Sequence, residues 1–123
     1  MKRVLVTGGA GYLGSILCKK LLDHGYAVRC FDRLYFGMEP IKPILKNKNF
    51  ELIKGNILNT GVFPEILRDV DAVVHLAGIA NDPTAELDPQ LTHKVNFEAS
   101  VRFANSAKEQ KVKRFFFQLQ RLW

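Results

Sequence analysis

Three glycines near the N-terminus have the spacing and context of a phosphate-binding turn. The apolar run Val4–Val6 suits a strand buried in a parallel sheet, and the glycines follow it directly. We expect Gly8 to turn the chain out of the strand, Gly11 to admit a pyrophosphate close to the backbone, and Gly14 to pack the next helix tightly against the strand. The free N–H groups and dipole of that helix would then face the phosphates. The alternative is a tight strand–helix turn that binds nothing.

A carboxylate at the end of the second predicted strand supplies the other half of a dinucleotide site. Asp32 ends the pattern Ala27–Asp32, where it can accept two hydrogen bonds from the diol of an adenosine ribose. Because a carboxylate there repels a 2′-phosphate, Asp32 favours NAD over NADP. Arg33 follows it, and its guanidinium could hold that phosphate instead. A simple turn acid after a strand is the alternative for Asp32.

Patterns typical of strands and helices alternate along the rest of the chain. The glycine turn leads into a helix predicted over Tyr12–His24, and Gly25 is its expected left-handed cap. A longer helix, with apolar residues every four positions, is predicted to have its entry framed by Pro83 and Pro89 and to end near Gln110. The remaining predicted elements are strands Phe50–Lys54, Asp71–Ala77 and Val112–Phe117, and short helices Ile41–Lys46 and Val62–Arg68. Such alternation predicts an α/β fold with a doubly wound parallel sheet of five strands in the order 3-2-1-4-5.

The spacing of apolar residues assigns a face to each of the two clear helices. In the first, Leu13, Ile16, Leu17 and Leu21 are predicted to face the sheet, with Ser15, Lys19, Lys20 and Asp23 on the opposite side. In the long helix the predicted core positions are Leu91, Val95, Ala99, Phe103 and Ala107.

Length, charge and cysteine usage limit the kinds of protein this chain could be. Its 123 residues, 47% of them apolar, fit one domain, expected at 1–117 with an atypical tail at 118–123. No apolar run approaches the roughly eighteen residues of a membrane span, and the first strand begins too early for a signal peptide. The net charge of +6 comes from scattered basic residues, so we expect no nucleic-acid partner. Two isolated cysteines, Cys18 and Cys30, are expected to be buried in a reducing cytoplasm.

Four segments together resemble the extended short-chain dehydrogenase/reductase family, the NAD-dependent nucleotide-sugar epimerases and dehydratases. Thr7–Gly14 is similar to its glycine motif, and Val73–Gly78 to its fourth-strand motif, whose loop lies against the cofactor. Asp88–Asn96 is similar to its helix with a structural asparagine, and Val112–Phe117 to the strand before its catalytic serine. The resemblance implies a Rossmann-like fold that binds NAD.

The residues expected around the cofactor combine the motif positions with the two strand ends. They are Gly8, Gly11, Tyr12, Leu13, Gly14, Asp32, Arg33, Asn56, Ile57, Leu76, Ala77, Gly78 and Asn96. Asn56 departs from the family, which usually has an aspartate here to contact the adenine amino group. An asparagine oxygen can still accept that hydrogen bond without charge, and a turn residue is the alternative.

The catalytic pair that the resemblance implies has no counterpart in this sequence. The family uses Tyr-x-x-x-Lys, in which the lysine lowers the tyrosine pKa and NAD takes the hydride. Here Tyr12, Tyr26 and Tyr35 are followed four residues later by Ile16, Cys30 and Glu39. We therefore expect no catalytic residue in this chain and no activity on its own, with a nucleotide sugar bound only in a full-length form.

Two further expectations concern the histidines and the last strand. His75 is expected at a strand end, packed near the cofactor loop, whereas His24 and His93 are expected on exposed helix surfaces, with no metal site. Because the chain is expected to stop after strand five, an open edge with Phe115–Phe117 would favour a homo-oligomer. A non-catalytic binding or assembly module that self-associates through this edge is the alternative function.

Overall fold

The computed structural model describes residues 1–35, 37–76 and 89–117, without the side chains of residues 89–93, 95 and 96. Its strands are β1 (Arg3–Thr7), β2 (Ala27–Asp32), β3 (Phe50–Lys54), β4 (Ala72–His75) and β5 (Arg114–Phe117). They form one parallel sheet in the order β3-β2-β1-β4-β5, which confirms the predicted order. The domain limits of 1–117 stay a prediction, and the tail at 118–123 lies outside the described residues.

The helices differ in length, and two of the helical segments are short 3₁₀ turns. They are α1 (Tyr12–Asp23), α2 (Phe63–Ile66) and α3 (Pro89–Glu109), with 3₁₀ turns at Glu39–Ile44 and Thr60–Val62. The first 3₁₀ turn replaces the helix predicted at Ile41–Lys46, because Pro43 lies inside it and lacks a backbone N–H. Within the described ranges, no helix combines the length and apolar character that crossing a bilayer requires.

Strand β1 lies at the centre of the sheet and is covered on both faces. Val6 pairs with Cys30 of β2 on one side and with Val74 of β4 on the other. Leu5 points into a core with Phe31, Val73, Phe63 and Phe103, whereas Val4 and Val6 point into a second core with Cys18, Val28 and Ile41. Helices on both faces of a parallel sheet give the doubly wound architecture expected from the sequence.

Helix α1 packs on the sheet through small residues and through only part of the leucine face predicted from its spacing. Leu17 and Leu21 of that face are partly buried against the core, as predicted. Its buried residues are Gly14, Ser15 and Cys18, while Leu13 is 50% and Ile16 41% exposed. A Cβ on Gly14 would lie 2.6 Å from the Cα of Gly9, so the helix start lies too close to the turn for a large side chain. The predicted face was therefore wrong at Leu13, Ile16 and Ser15.

Helix α3 packs as its four-residue repeat predicts. Ala99, Phe103 and Ala107 are buried, and Phe103 contacts Phe63 and Phe115. The other two predicted core positions, Leu91 and Val95, lie among the side chains that are not described. The long helix thus covers the face of the sheet opposite α1.

Candidate functional site

The glycine turn joins the central strand to α1 and is anchored to the neighbouring strand. Gly8 has φ +75°, a left-handed backbone that side chains disfavour, and its N–H donates to the carbonyl of Phe31 at 2.8 Å. The carboxyl ends of β1 and β2 are therefore tied together at the point where the chain turns. Ligands of doubly wound sheets bind at this edge.

Gly11 and Gly14 are glycines for different physical reasons. Gly14 has no room for a side chain, because its backbone packs directly against Gly9. A Cβ on Gly11, in contrast, would meet nothing closer than the Gly8 carbonyl oxygen at 3.4 Å, an ordinary contact, and its φ is −74°. Nothing in the described protein requires glycine at position 11. The space beside this backbone is what a closely approaching pyrophosphate needs.

The start of α1 offers backbone donors that no side chain of the described residues caps. The first N–H groups of an α-helix have no intrahelical acceptor, and Gly11 at the N-cap makes no side-chain capping bond. No acidic side chain occupies the first turn. The helix dipole adds partial positive charge here, so these amides suit an anion such as a diphosphate.

Asp32 is fixed against the glycine turn by its own hydrogen bonds. One carboxylate oxygen accepts the N–H of Ala10 at 3.0 Å, and the other accepts the N–H of Leu34 at 2.7 Å. Each carboxylate oxygen has two lone-pair directions, so capacity remains for two hydroxyl donors. The structure thus places the predicted ribose acid directly beside the predicted diphosphate turn, although 22 residues separate Ala10 from Asp32.

The segment after Asp32 holds an arginine against an aromatic ring. The Arg33 guanidinium carbon lies 4.5 Å from the centroid of the Tyr35 ring. Leu34, between them, has φ +59°, which is uncommon for a residue with a branched side chain. Arg33 is half-buried, and the predicted contact between Arg33 and a phosphate remains a prediction.

The loop after β3 lies next to the end of β2 but uses Asn56 within its own turn. Gly55 donates its N–H to the carbonyl of Asp32 at 3.0 Å, and the Asn56 side-chain oxygen accepts the N–H of Leu58 at 2.9 Å. The amide oxygen keeps a second lone pair for an adenine amino group. Ile57 is buried in the core beside Phe31, so only its backbone could reach a ligand here.

The remaining predicted cofactor residues divide between described and undescribed parts of the chain. Leu76 donates its N–H to the carbonyl of Thr7 at 2.9 Å, which places it one residue from the glycine turn. Tyr12 and Leu13 lie at the exposed start of α1. Ala77 and Gly78 lie outside the described residues, and Asn96 lies in α3 with its side chain not described.

His75 forms a buried hydrogen-bond network beneath the turn, as a packed strand-end residue. Its Nδ1 contacts the Thr7 hydroxyl at 2.5 Å, and its Nε2 contacts the Ser100 hydroxyl at 2.8 Å. Burial lowers the pKa of His75 to about 4, so the ring is neutral at physiological pH. The network joins β1, β4 and α3, and sequence reasoning missed Ser100 because its partner lies 25 residues away.

The remaining cysteines and histidines form no reactive cluster among the described residues. Cys18 and Cys30 are buried free thiols, as expected, and a hydrogen bond of the protonated Cys30 thiol with Cys18, together with burial, raises the pKa of Cys30. His24 is exposed, as predicted, whereas the His93 side chain is not described. Among the described residues, no group of three acidic, histidine or cysteine side chains could hold a metal ion.

Comparison with known proteins identifies the family of this chain. Residues 4–118 match the NAD dependent epimerase/dehydratase family. A curated relative, UDP-glucose 4-epimerase of Klebsiella pneumoniae, is 32% identical over 120 residues, which cover 94% of this chain and 86% of the relative.

Two solved structures share the fold over almost the whole chain. The enzyme WbmG of Bordetella bronchiseptica, in complex with NAD, is 27% identical with a TM-score of 0.78 over 94% of this chain. UDP-N-acetylglucosamine 4-epimerase of Methanobrevibacter ruminantium M1, in complex with UDP-N-acetylmuramic acid, is 32% identical with a TM-score of 0.77 over 93% of this chain. The match spans 36% of each solved chain. This chain belongs to the NAD-dependent epimerase/dehydratase family.

Proposed function

We propose that this chain is the NAD-binding portion of an enzyme that epimerises or dehydrates a nucleotide sugar. The observation that carries the proposal is the hydrogen bond from Ala10 to Asp32, which unites the ribose acid with the diphosphate turn. In this proposal the first amides of α1 bind the diphosphate, and the Asp32 carboxylate accepts the adenosine ribose hydroxyls. The WbmG complex with NAD supports the choice of cofactor.

The chemistry of the full reaction would need residues beyond those of this sequence. When bound, NAD supplies the acceptor for a hydride. The residues of this chain bind and orient the cofactor, but its tyrosines lack the lysine four residues later. We therefore propose that the 123-residue chain binds NAD without turning over a nucleotide sugar, and that the sugar binds only in a longer form.

Calorimetric titration with NAD, NADP and ADP-ribose tests the proposal. We expect NAD and ADP-ribose to bind, since both carry the adenosine ribose and the diphosphate, and NADP to bind more weakly because of Asp32. Incubation with UDP-glucose and NAD should leave the sugar unchanged. Absence of heat with all three ligands, in a chain that circular dichroism shows to be folded, would contradict NAD binding.

A second function, an assembly module, is favoured by the exposed end of the sheet. Phe116 is 56% and Phe117 38% exposed, and in the described part of the chain β5 pairs only with β4. Unpaired strand edges with apolar side chains favour pairing with another chain. We propose self-association through this edge as the alternative role, and light scattering across a range of concentrations tests it.

The free thiols support the proposal that the protein works in the cytoplasm. Cys18 and Cys30 are both buried and neither is part of a disulfide. Reducing compartments keep such thiols free. Localisation of the tagged protein in its own cells would test this.

A further inference from the structure

Basic residues that are separated in the sequence meet at the amino end of the sheet, opposite the glycine turn. They come from the residues before β1, the loop before β4, and the segment that joins α3 to β5. Six basic side chains of these segments are exposed, and we call them the basic face: Lys2, Arg68, Lys108, Lys111, Lys113 and Arg114. Their scatter along the sequence is the reason to expect no nucleic-acid partner, and the fold removes that reason.

Backbone hydrogen bonds hold the three segments of the basic face side by side. Asp71 donates its N–H to the carbonyl of Arg3 at 2.9 Å, and Lys113 donates its N–H to the carbonyl of Asp71 at 3.1 Å. Lys111 donates its N–H to the carbonyl of Lys108 at 3.0 Å, which ties the approach to β5 to the end of α3. Because neighbouring strands lie about 4.8 Å apart, the six cations form one compact patch on anchored backbone.

Negative charge offsets only part of the basic face. Asp69, Asp71 and Glu109 lie in the same segments. Asp71 is half-buried, and one of its carboxylate oxygens accepts the N–H of Arg3 at 2.8 Å. The C-terminus of α3 adds a partial negative charge of about half a unit, which Lys108 in its last turn offsets. The face therefore keeps a net positive charge.

We propose that the basic face binds the phosphate backbone of a nucleic-acid duplex. A duplex presents a dense, regular array of phosphates, and cations on anchored backbone match such an array. None of the six residues is aromatic, so the face offers no ring on which bases could stack. Its contacts would go to phosphates and carry no sequence preference.

Two features of the fold bear on where other polyanions and ligands would bind. Proteins that bind anionic membranes through a basic patch add exposed apolar side chains that enter the lipid. The exposed Phe116 and Phe117 follow Arg114 toward the opposite end of the sheet, away from the cations. The proposed NAD site lies at that opposite end, so this inference does not depend on NAD binding.

Fluorescence anisotropy of a labelled, mixed-sequence DNA duplex of about 20 base pairs tests the inference. For wild type, the logarithm of the binding constant should fall with the logarithm of salt concentration with a slope of about −4 to −5. The double variant Arg68→Glu/Lys113→Glu should bind about tenfold more weakly or worse at roughly 50 mM salt, with a slope shallower by about two. Arg68→Lys/Lys113→Arg should bind as wild type does. Circular dichroism checks that each variant is folded.

A charge-matched control separates a surface from net charge. Lys42→Glu/Lys94→Glu changes the net charge equally at exposed residues outside the basic face. It should bind within about threefold of wild type, because salt screens charges beyond a Debye length of roughly 10 Å. Saturating NAD should leave duplex binding unchanged.

Four results would overturn the inference. They are no binding by wild type at low salt, equal losses in the two charge-reversed variants, competition between NAD and the duplex, and binding to phosphatidylserine vesicles without binding to the duplex. Competition with NAD would place the duplex phosphates at the glycine turn, and vesicle binding alone would assign the face to a membrane surface.

Discussion

At the scale of single residues, Gly11 is expected to matter for ligand binding and Gly14 for folding. Both belong to the same turn, and both are expected near a bound diphosphate. Gly14 is packed against Gly9, whereas the space beside Gly11 is open on the protein side. A methyl group at each position should therefore have opposite consequences.

Gly11→Ala should lower NAD affinity about tenfold or more, because its methyl group occupies the space left for the diphosphate. Its cost in stability should stay within about 1 kcal/mol, since alanine is only a poorer N-cap. Gly14→Ala, the matched control, should lower the free energy of unfolding by about 1–3 kcal/mol through overpacking. Calorimetry and urea unfolding measure the two effects, and equal losses of binding in both variants without loss of stability would contradict the distinction.

His75 predicts a specific pH dependence of stability. Its pKa is about 4 in the folded chain against an ordinary value of 6.5, so the unfolded chain binds more protons between these pH values. Stability should therefore fall as the pH drops from about 6.5 to 4, by about 3 kcal/mol in total.

Urea unfolding of His75→Gln should lack this component of the slope, whereas His24→Gln, at an exposed histidine, should keep the wild-type profile. Only slopes are compared, because the lost hydrogen bonds lower the stability of His75→Gln at every pH. Parallel profiles for His75→Gln and wild type would argue against burial of a neutral ring.

At the scale of elements, Arg29 joins β2 to α2 from inside the protein. Its side chain is 7% exposed, its Nε donates to Glu51 at 2.8 Å, and its Nη1 donates to the carbonyls of Ile66 and Arg68 at 2.8 and 2.9 Å. The guanidinium thus satisfies carbonyls at the end of a helix of only four residues.

Arg29→Ala should lower the free energy of unfolding by about 3 kcal/mol, because it leaves buried carbonyls without a donor. Glu51→Ala should cost less than about 1 kcal/mol, since Glu51 is 52% exposed and the arginine keeps its helix carbonyls. Chemical denaturation of both variants measures the difference. Equal costs would mean that the ion pair, rather than the helix end, is the important contact.

Sequence patterns predicted the positions and order of the strands and helices better than the faces that the helices bury. Strand order, the length of α1 and the core face of α3 followed from apolar runs, glycines and a four-residue repeat. The face of α1 followed only at Leu17 and Leu21, because hydrophobic spacing cannot show how closely Gly14 brings a helix to a strand. Arg29 and Ser100 were missed for a related reason: their partners are distant in sequence, and nothing local marks a buried polar contact.

At the scale of the whole molecule, the predicted NAD site and the exposed apolar strand β5 lie at different parts of the sheet. The predicted cofactor residues centre on the carboxyl ends of β1 and β2, with others after β3 and β4, whereas exposed phenylalanines lie on β5 at one side of the sheet. Association through β5 would therefore leave the proposed NAD site open. Binding and assembly can then be tested independently in the same chain.

Phe116→Lys should shift the chain toward monomer, because a charge on an edge strand opposes pairing with a second copy. Tyr12→Lys, at an exposed aromatic residue away from β5, should leave the association unchanged. Light scattering over a roughly hundredfold range of protein concentration measures the association state of both variants and of the wild-type chain. A wild-type chain that stays monomeric throughout would contradict assembly through this edge.

The central claim is that the amides at the start of α1 bind the diphosphate of NAD. Amide chemical shifts of the ¹⁵N-labelled chain, followed during titration with NAD, test it most directly. We expect saturable changes that are largest at Gly11, Tyr12 and Leu13, that are repeated with ADP-ribose, and that need about tenfold more NAD or a larger excess in Gly11→Ala. Shifts confined to other parts of the folded chain, or no shifts at saturating NAD, would contradict it.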